Sequence, residues 1–248
     1  ILLCQRIDRA HQLAAGLQDL RRDAEQHHQR ARAGGNAVHA GGGGIELRRD
    51  MEARFVQNKA SVAETPASVT RKTAGALAWV ATNDSLGATG SSGGWTSTGV
   101  VAAATNGTQR TFTETLLKTV VAEVFTSGGS PKILMVGAAG KQKVSTFAGI
   151  AAQRFQAPSN KPTTIIGAAD VYMSDFGTMS VVPNRFMRTR DALILDPEYA
   201  ALAYLRPFQT NELAKAGDSE KTQILAEVTL EVKNEAAHGI VADLDFSL

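Results

Sequence analysis

The sequence predicts an α+β fold on three observations. From Ile45 a charged stretch places Leu47, Met51 and Phe55 four residues apart, the spacing of a helix with a narrow apolar stripe. A second stretch, from Phe112 to Phe125, carries a broader apolar face at helical spacing. Ile224 to Val232 alternates Ile224, Ala226, Val228, Leu230 and Val232 with Leu225, Glu227, Thr229 and Glu231, the pattern of a long half-buried strand. At 248 residues and 43% hydrophobic content, the chain is long enough to bury a real core in one large domain or two small ones.

Residues 1–44 stand apart from the rest. They contain no Ser, Thr, Lys, Pro, Phe, Trp or Tyr, and they hold four of the five histidines: His11, His27, His28 and His39. Arg, Ala, Gly and Gln dominate, and the segment stops at four glycines, Gly41 to Gly44. Such composition reads as a junction or shifted-frame product, with an Arg-rich docking arm (Arg21, Arg22, Arg30, Arg32) as the alternative. His27 and His28 lack partners at metal-ligand spacing.

Within the helix from Ile45, Arg48–Glu52 and Asp50–Arg54 are opposite charges four residues apart, each worth a few tenths of a kcal/mol, roughly. Residues 61–73 are polar and lead to an apolar stretch at 76–80. Asn83 to Thr108 is dense in Gly, Ser, Thr and Asn and reads as a long loop. Thr111 and Glu114 fit a capping box for the next helix, which Gly128, Gly129 and Pro131 end. Lys132 to Gly137 reads as a buried strand and Gly140 to Ala151 as a helix. Strands are expected at 163–166, 171–174 and 179–182, with short apolar runs at 192–195 and 201–205.

Charge narrows the function classes. The totals of 26 basic and 24 acidic residues exclude a strongly basic nucleic-acid binder for the chain as a whole. Along the chain the balance is uneven: residues 45–208 carry 17 basic and 12 acidic groups, and residues 209–248 carry three and eight. A basic body and an acidic strip suit complementary contact between copies, which sets register more than affinity. The lone Cys4 excludes an internal disulfide framework and points to a reducing compartment. No run of eighteen apolar residues exists, and no signal-peptide pattern opens the sequence.

Several motifs tempt and fail on chemistry. Gly137-Ala-Ala-Gly140-Lys141 lies between strand and helix, but a phosphate loop needs Gly where Met135 stands and Ser or Thr where Gln142 stands. Gly90-Ser-Ser-Gly-Gly94 matches Gly-x-Ser-x-Gly, and Asp170 or Asp196 and then His238 follow in hydrolase order. The serine hydrolase reading, with Ser92 and His238, requires a buried strand before the serine and a helix after it, and a Gly/Thr loop supplies neither. Asp196-Pro197-Glu198 reads first as a turn. Arg185, Arg188 and Arg190 could meet phosphate or a neighbour's acid, without aromatic platforms for nucleic acid. No metal-binding, redox or dinucleotide signature is present, so no catalytic, cofactor or metal residue is assigned.

Longer stretches carry a specific resemblance. RRDMEARFVQNKASV (48–62), RKTAGALAWVATN (71–83), GTQRTFTETLLK (107–118) and KILMVGAAGKQKVSTFAG (132–149) occur in order. DVYMSDFGTMSVVPNRF (170–186), LDPEYAALAYLRPFQTNELAKAGDSEKTQ (195–223) and VTLEVKNEAAHGIVADL (228–244) follow. From about Ile45 to Asp245 the chain resembles the major capsid proteins of tailed bacteriophages.

The resemblance implies the tailed-phage capsid fold, shared with encapsulins: a peripheral domain with a spine helix and long strands, an axial domain, an extended loop and an N-terminal arm. By position, 45–62 looks like the spine helix, 45–80 and 209–248 like the peripheral domain, and 81–208 like the axial domain. The arm and extended loop are expected to be missing or replaced by residues 1–44, leaving a truncated chain that does not close normal shells. The implied function is a non-enzymatic shell subunit, assembling into hexamers and pentamers of an icosahedral virion capsid around loosely contacted double-stranded DNA, with no membrane partner and no cofactor. Assembly is expected in the host cytoplasm, and an encapsulin-type compartment protein is the alternative of the same fold. Candidate inter-subunit contacts are Arg48, Arg49, Asp50 and Glu52 on the spine helix, and Arg206 beside Pro207.

Overall fold

The computed structural model describes residues 35–63, 71–147, 170–216 and 219–247. It is mixed α and β, as expected, and divides into two compact units. One comprises Arg54–Ala200 with the stretch from Val232; the other comprises residues up to Ala53 with Ala201–Glu231.

The larger unit is built on a six-stranded sheet. Its strands are β1 (Asp84–Ser85), β5 (Ile133–Val136), β6 (Val171–Ser174), β7 (Gly177–Pro183), β8 (Ala192–Leu195) and β11 (Gly239–Val241), in the order β1-β11-β8-β5-β7-β6. β5–β7 and β1–β11 run parallel, and the other neighbours run antiparallel. Four short strands complete the loops and edges: β2 (Gly94–Trp95) against β3 (Val101–Ala102), and β4 (Arg110–Thr111) parallel to β12 (Leu244–Asp245).

Alternation along the strands sends neighbours to opposite faces. Leu134, Val136, Val181 and Ile194 meet the apolar face of α3 (Glu114–Thr126), made of Leu117, Val120, Val121 and Val124. Leu193 and Ile240 on the other face meet Val56, Met187, and Leu77 and Val80 at the short helix α2 (Ala76–Trp79). Burying each such Leu or Val fully contributes about 1.5–3 kcal/mol. Phe112 closes one end of the first layer, edge-on to Phe147 and Phe246 at 5.2 and 5.5 Å.

The capping box expected at Thr111 and Glu114 is not what starts α3. Thr111 is taken by β4, where it pairs with Asp245, and Thr113 is the cap, its hydroxyl accepting from Leu116 N at 3.5 Å. Glu114 is the first helical residue and accepts from the buried Tyr172 hydroxyl at 3.1 Å. Lys118, bonded to Glu114 at 2.9 Å, together with Tyr172 holds that carboxyl below its ordinary range despite partial burial. At the other end Gly128, at φ +87°, turns the chain out of the helix as expected.

The smaller unit holds α1 (Gly35–Val56) up to Ala53, and most of the strand pair β9 (Ala200–Ala216) and β10 (Ser219–Val232). Paired strands only two residues apart in sequence must run antiparallel. Helix α1 runs through the glycines at 41–44, each costing about 1 kcal/mol against Ala. The helix expected over 45–62 ends at Val56, because Asn58 turns aside to bond both the N–H and the carbonyl of Ala104, at 2.9 and 2.7 Å.

The strand read at 179–182 spans Gly177–Pro183, and the helix read from Gly140 is α4 (Ala138–Val144). The strand expected at 163–166, and the composition-based reading of the first 34 residues, lie outside the described residues.

Candidate functional site

On the smaller unit, Arg48, Arg49 and Asp50 are exposed on α1, and Glu52 is half-buried. The Arg48 guanidinium lies over the Phe208 ring, 5.5 Å from its centre, where the ring's negative face attracts it. Arg206, on β9, donates to Glu227 Oε1 on β10 at 2.8 Å. An ion pair this exposed contributes only about 0–1 kcal/mol. Around it Tyr204, Leu205 and Leu213 project into solvent, with Leu205 70% exposed. Among the described residues of this unit no side chain is buried. The exposed side chains of this unit are both apolar and charged, which suits contact with another macromolecule.

The hydrolase candidates do not meet. Ser92 is exposed in the loop between Ser91, which pairs with Thr105, and β2, and no helix follows it. His238 is only 2% exposed. Its Nδ1 accepts from the backbone N–H of Asp196 at 3.2 Å, and its Nε2 is buried with no hydrogen-bond partner among the described residues. Neither nitrogen therefore reaches a serine hydroxyl, and the Ser92–His238 reading is overturned.

Asp196, also buried, accepts from Ser130 N and Glu198 N at 2.9 and 3.1 Å, so it holds the turn that the sequence suggested. Asp170 is at the surface, ion-paired with Lys141 at 3.0 Å.

Burial pushes the His238 pKa below its ordinary 6.5, against the opposing pull of the Asp196 carboxylate, the Tyr199 carbonyl and Glu235. The unfolded chain therefore takes up this proton at higher pH than the folded one. His238 contributes stability that is fully present above about pH 6.5 and is lost as pH falls towards the folded value. Asp191 has the opposite sign: burial raises its pKa despite Arg188, so acid relieves a cost present at neutral pH. Thermal melts at about pH 7 and about pH 5 are expected to show the wild type losing stability in acid. His238→Gln, whose amide oxygen keeps the Asp196 bond, is expected to lose less. Equal losses in both proteins would show that His238 carries none of the effect.

A second polar centre surrounds a small cavity lined by Asn58, Asp84, Asn106, Arg188, Asp191 and Asp243, among others. Asp243, at φ +57° and 1% exposed, receives Arg190 Nη2 at 2.5 Å and Gly87 N at 3.1 Å. Arg190 also donates to the Gly107 carbonyl at 2.6 Å. Arg188 pairs with Asp191 at 3.0 Å and donates to Asn106 Oδ1. Of the basic cluster read as a phosphate or partner contact, two members thus serve the unit's own acids, and Arg185 alone is exposed. Sequence reasoning missed Asp191 and Asp243 because a lone Asp in a loop carries no spacing signal. Among the described residues no group of three His, Cys, Asp or Glu side chains is placed to hold a metal ion, and no helix is long and apolar enough to cross a membrane.

One unit thus exposes apolar and charged side chains at its surface, and the other closes its polar side chains into interior clamps. The family model of the SU10 major capsid protein matches residues 42–245, and the chain belongs to this family of phage major capsid proteins. Membership gives its place as the virion capsid and implies self-assembly into a shell. No curated protein matches the chain.

Proposed function

We propose that this chain is a shell tile whose copies meet through the helix-and-hairpin unit, forming hexameric and pentameric capsomers of an icosahedral shell around double-stranded DNA. The observation that carries the contact surface is the absence of any fully buried described side chain in that unit, beside exposed Leu205, Tyr204 and Leu213. In this reading α1 serves as the spine helix and β9–β10 as the long strands of a peripheral domain. The sheet-centred unit takes the axial role. Arg48, Arg49, Asp50, Glu52 and Arg206 set the register between copies, as charges at an interface rim do. The work is contact rather than catalysis, and packaged DNA meets the tile only through sequence-independent charge.

Burying Leu205 between copies contributes about 1.5–3 kcal/mol, roughly a ten- to hundredfold change in affinity. Sedimentation velocity across a concentration series is expected to show the wild type associating beyond a dimer. Leu205→Asp is expected to need at least about tenfold more protein for the same association, with an unchanged melting temperature. A wild type that stays monomeric throughout, or a variant that associates equally well, would overturn the assignment.

A further inference from the structure

The loop carrying Asn106 and Gly107 does not take part in the contact surface proposed above, yet it assembles the parts of a reaction. Asn106 is exposed, and Asn106–Gly107 is the one Asn-Gly pair in the sequence. The Gly107 N–H has no hydrogen-bond partner among the described residues. The Arg188 guanidinium donates to the Asn106 side-chain oxygen, and the other side of that guanidinium is fixed by the buried Asp191 at 3.0 Å.

Gly107 cannot be exchanged for a bulkier residue that would block attack by its nitrogen. A Cβ there would lie 2.7 Å from the carbonyl oxygens of Ala88 and Gly87 and from the nitrogen of Gly90. Packing therefore compels the residue that leaves the Asn106 side chain most open to its own backbone.

We propose that Asn106 is a self-modification site, converting to a carboxylate with Arg188 as the donor that stabilises the developing oxyanion. The Gly107 nitrogen, losing its proton to solvent, attacks Asn106 Cγ and forms a C–N bond. Negative charge gathers on Oδ1, where Arg188 already points. The side-chain nitrogen gains a proton and leaves as ammonia, closing a five-membered succinimide. Water then opens either ring C–N bond, giving aspartate or its chain-shifted isomer; the net change is one water consumed and one ammonia released.

The surroundings choose between the two products. Thr105 is pinned to Ser91 by backbone bonds, Thr108 N to the Ala88 carbonyl at 2.8 Å, and the Gly107 carbonyl to Arg190. The isomer adds a methylene to the backbone between these fixed points. Ordinary aspartate keeps the backbone length and sets a carboxylate against Arg188, so aspartate is the product that leaves the loop intact.

Removing one donor to a developing oxyanion costs on the order of 10²–10³ in a buried site, and about tenfold at an exposed one such as this, where water competes. The intact chain is incubated at mildly alkaline pH and digested, and acid conversion at each asparagine is read by mass spectrometry, with folding checked by melting. Asn106 is expected to convert about tenfold faster than any other described asparagine, and Arg188→Gln to slow it about tenfold. If Arg188→Gln fails to fold, Arg188→Lys takes its place; it keeps a charge for Asp191 but loses the planar donor, and a smaller slowing is expected. An Asn106 that remains an amide after a free peptide of the same sequence has converted would overturn the site. An unchanged rate in the folded arginine variant would overturn the role of Arg188.

Discussion

Gly75→Ala is expected to abolish cooperative folding of the larger unit. A Cβ at this position would lie 1.7 Å from the carbonyl oxygen of Gln57 and 2.9 Å from that of Arg54. Both are main-chain atoms, so no side chain can swing away. The backbone dihedrals, φ −87° and ψ 159°, are ordinary, and it is close approach that demands glycine here. The same residue ties three segments together: its N–H donates to Lys59 O and its carbonyl accepts from Ala78 N, each at 3.0 Å. Room for a methyl requires moving the end of α1 away from α2, which opens the layer holding Val56, Leu77 and Val80. The cost is expected to exceed about 4 kcal/mol, a large share of the total stability of a domain. Gly99→Ala is the comparison: φ is +77° but nothing lies within 4 Å, so only backbone strain of about 1–2 kcal/mol is expected. Urea unfolding followed by circular dichroism separates the two, and a Gly75→Ala protein with a normal transition would refute the packing argument.

Arg190→Ala is expected to cost about 3–5 kcal/mol, because it strands a buried carboxylate. Asp243 would keep the Gly87 N–H and lose the one cation within 4 Å of it among the described residues, while the Gly107 carbonyl would lose a donor. The pair itself is not the source of that large figure; the uncompensated charge is. Arg190→Met combined with Asp243→Asn removes both charges, and Asn tolerates the positive φ of position 243. The double variant is therefore expected to be more stable than Arg190→Ala alone, with unchanged denaturant dependence. If Arg190→Ala costs under about 1 kcal/mol, water reaches Asp243 and screens it.

Much of the fold was legible where one face of an element is buried and the other is not. The face of α3 shows it, with Leu117, Val120, Val121 and Val124 buried as their spacing requires, whereas the segments at 133–136 and 192–195 stand out as continuous apolar runs because both of their faces are covered. The alternating stretch from Ile224 found β10, but its long partner β9 was reduced to 201–205. Residues 204–207 and 209–214 are exposed on both faces, so no period of two is written there. The loop over 83–108 reads as polar and open, yet it is fixed by close backbone approach at Gly87, Gly93 and Gly107. Such approach depends on segments far apart in sequence and leaves no local pattern.

The functional assignment came from length of resemblance rather than from any site. Arg48 and Arg206 carry charge at the surface, which sequence can suggest; whether a charge faces outward or is used within the unit it cannot. Arg188 and Arg190, in the same stretch as Arg185, look identical in sequence, and the buried Asp191 and Asp243 take only the first two.

That no described side chain of the helix-and-hairpin unit is buried also bears on how long its amide protons survive. Opening a hairpin whose apolar side chains already touch water exposes little new surface, so its exchange with deuterated solvent should be governed by small fluctuations. The sheet strands β5 and β8, lined by Leu134, Leu193 and Ile194 at 0% exposure, must instead wait for the larger unit to open. A single molecule would thus keep two clocks. Under the proposed contact through this unit, only the faster one should slow on assembly, which makes amide exchange a direct reporter of how completely a tile is embedded among its neighbours.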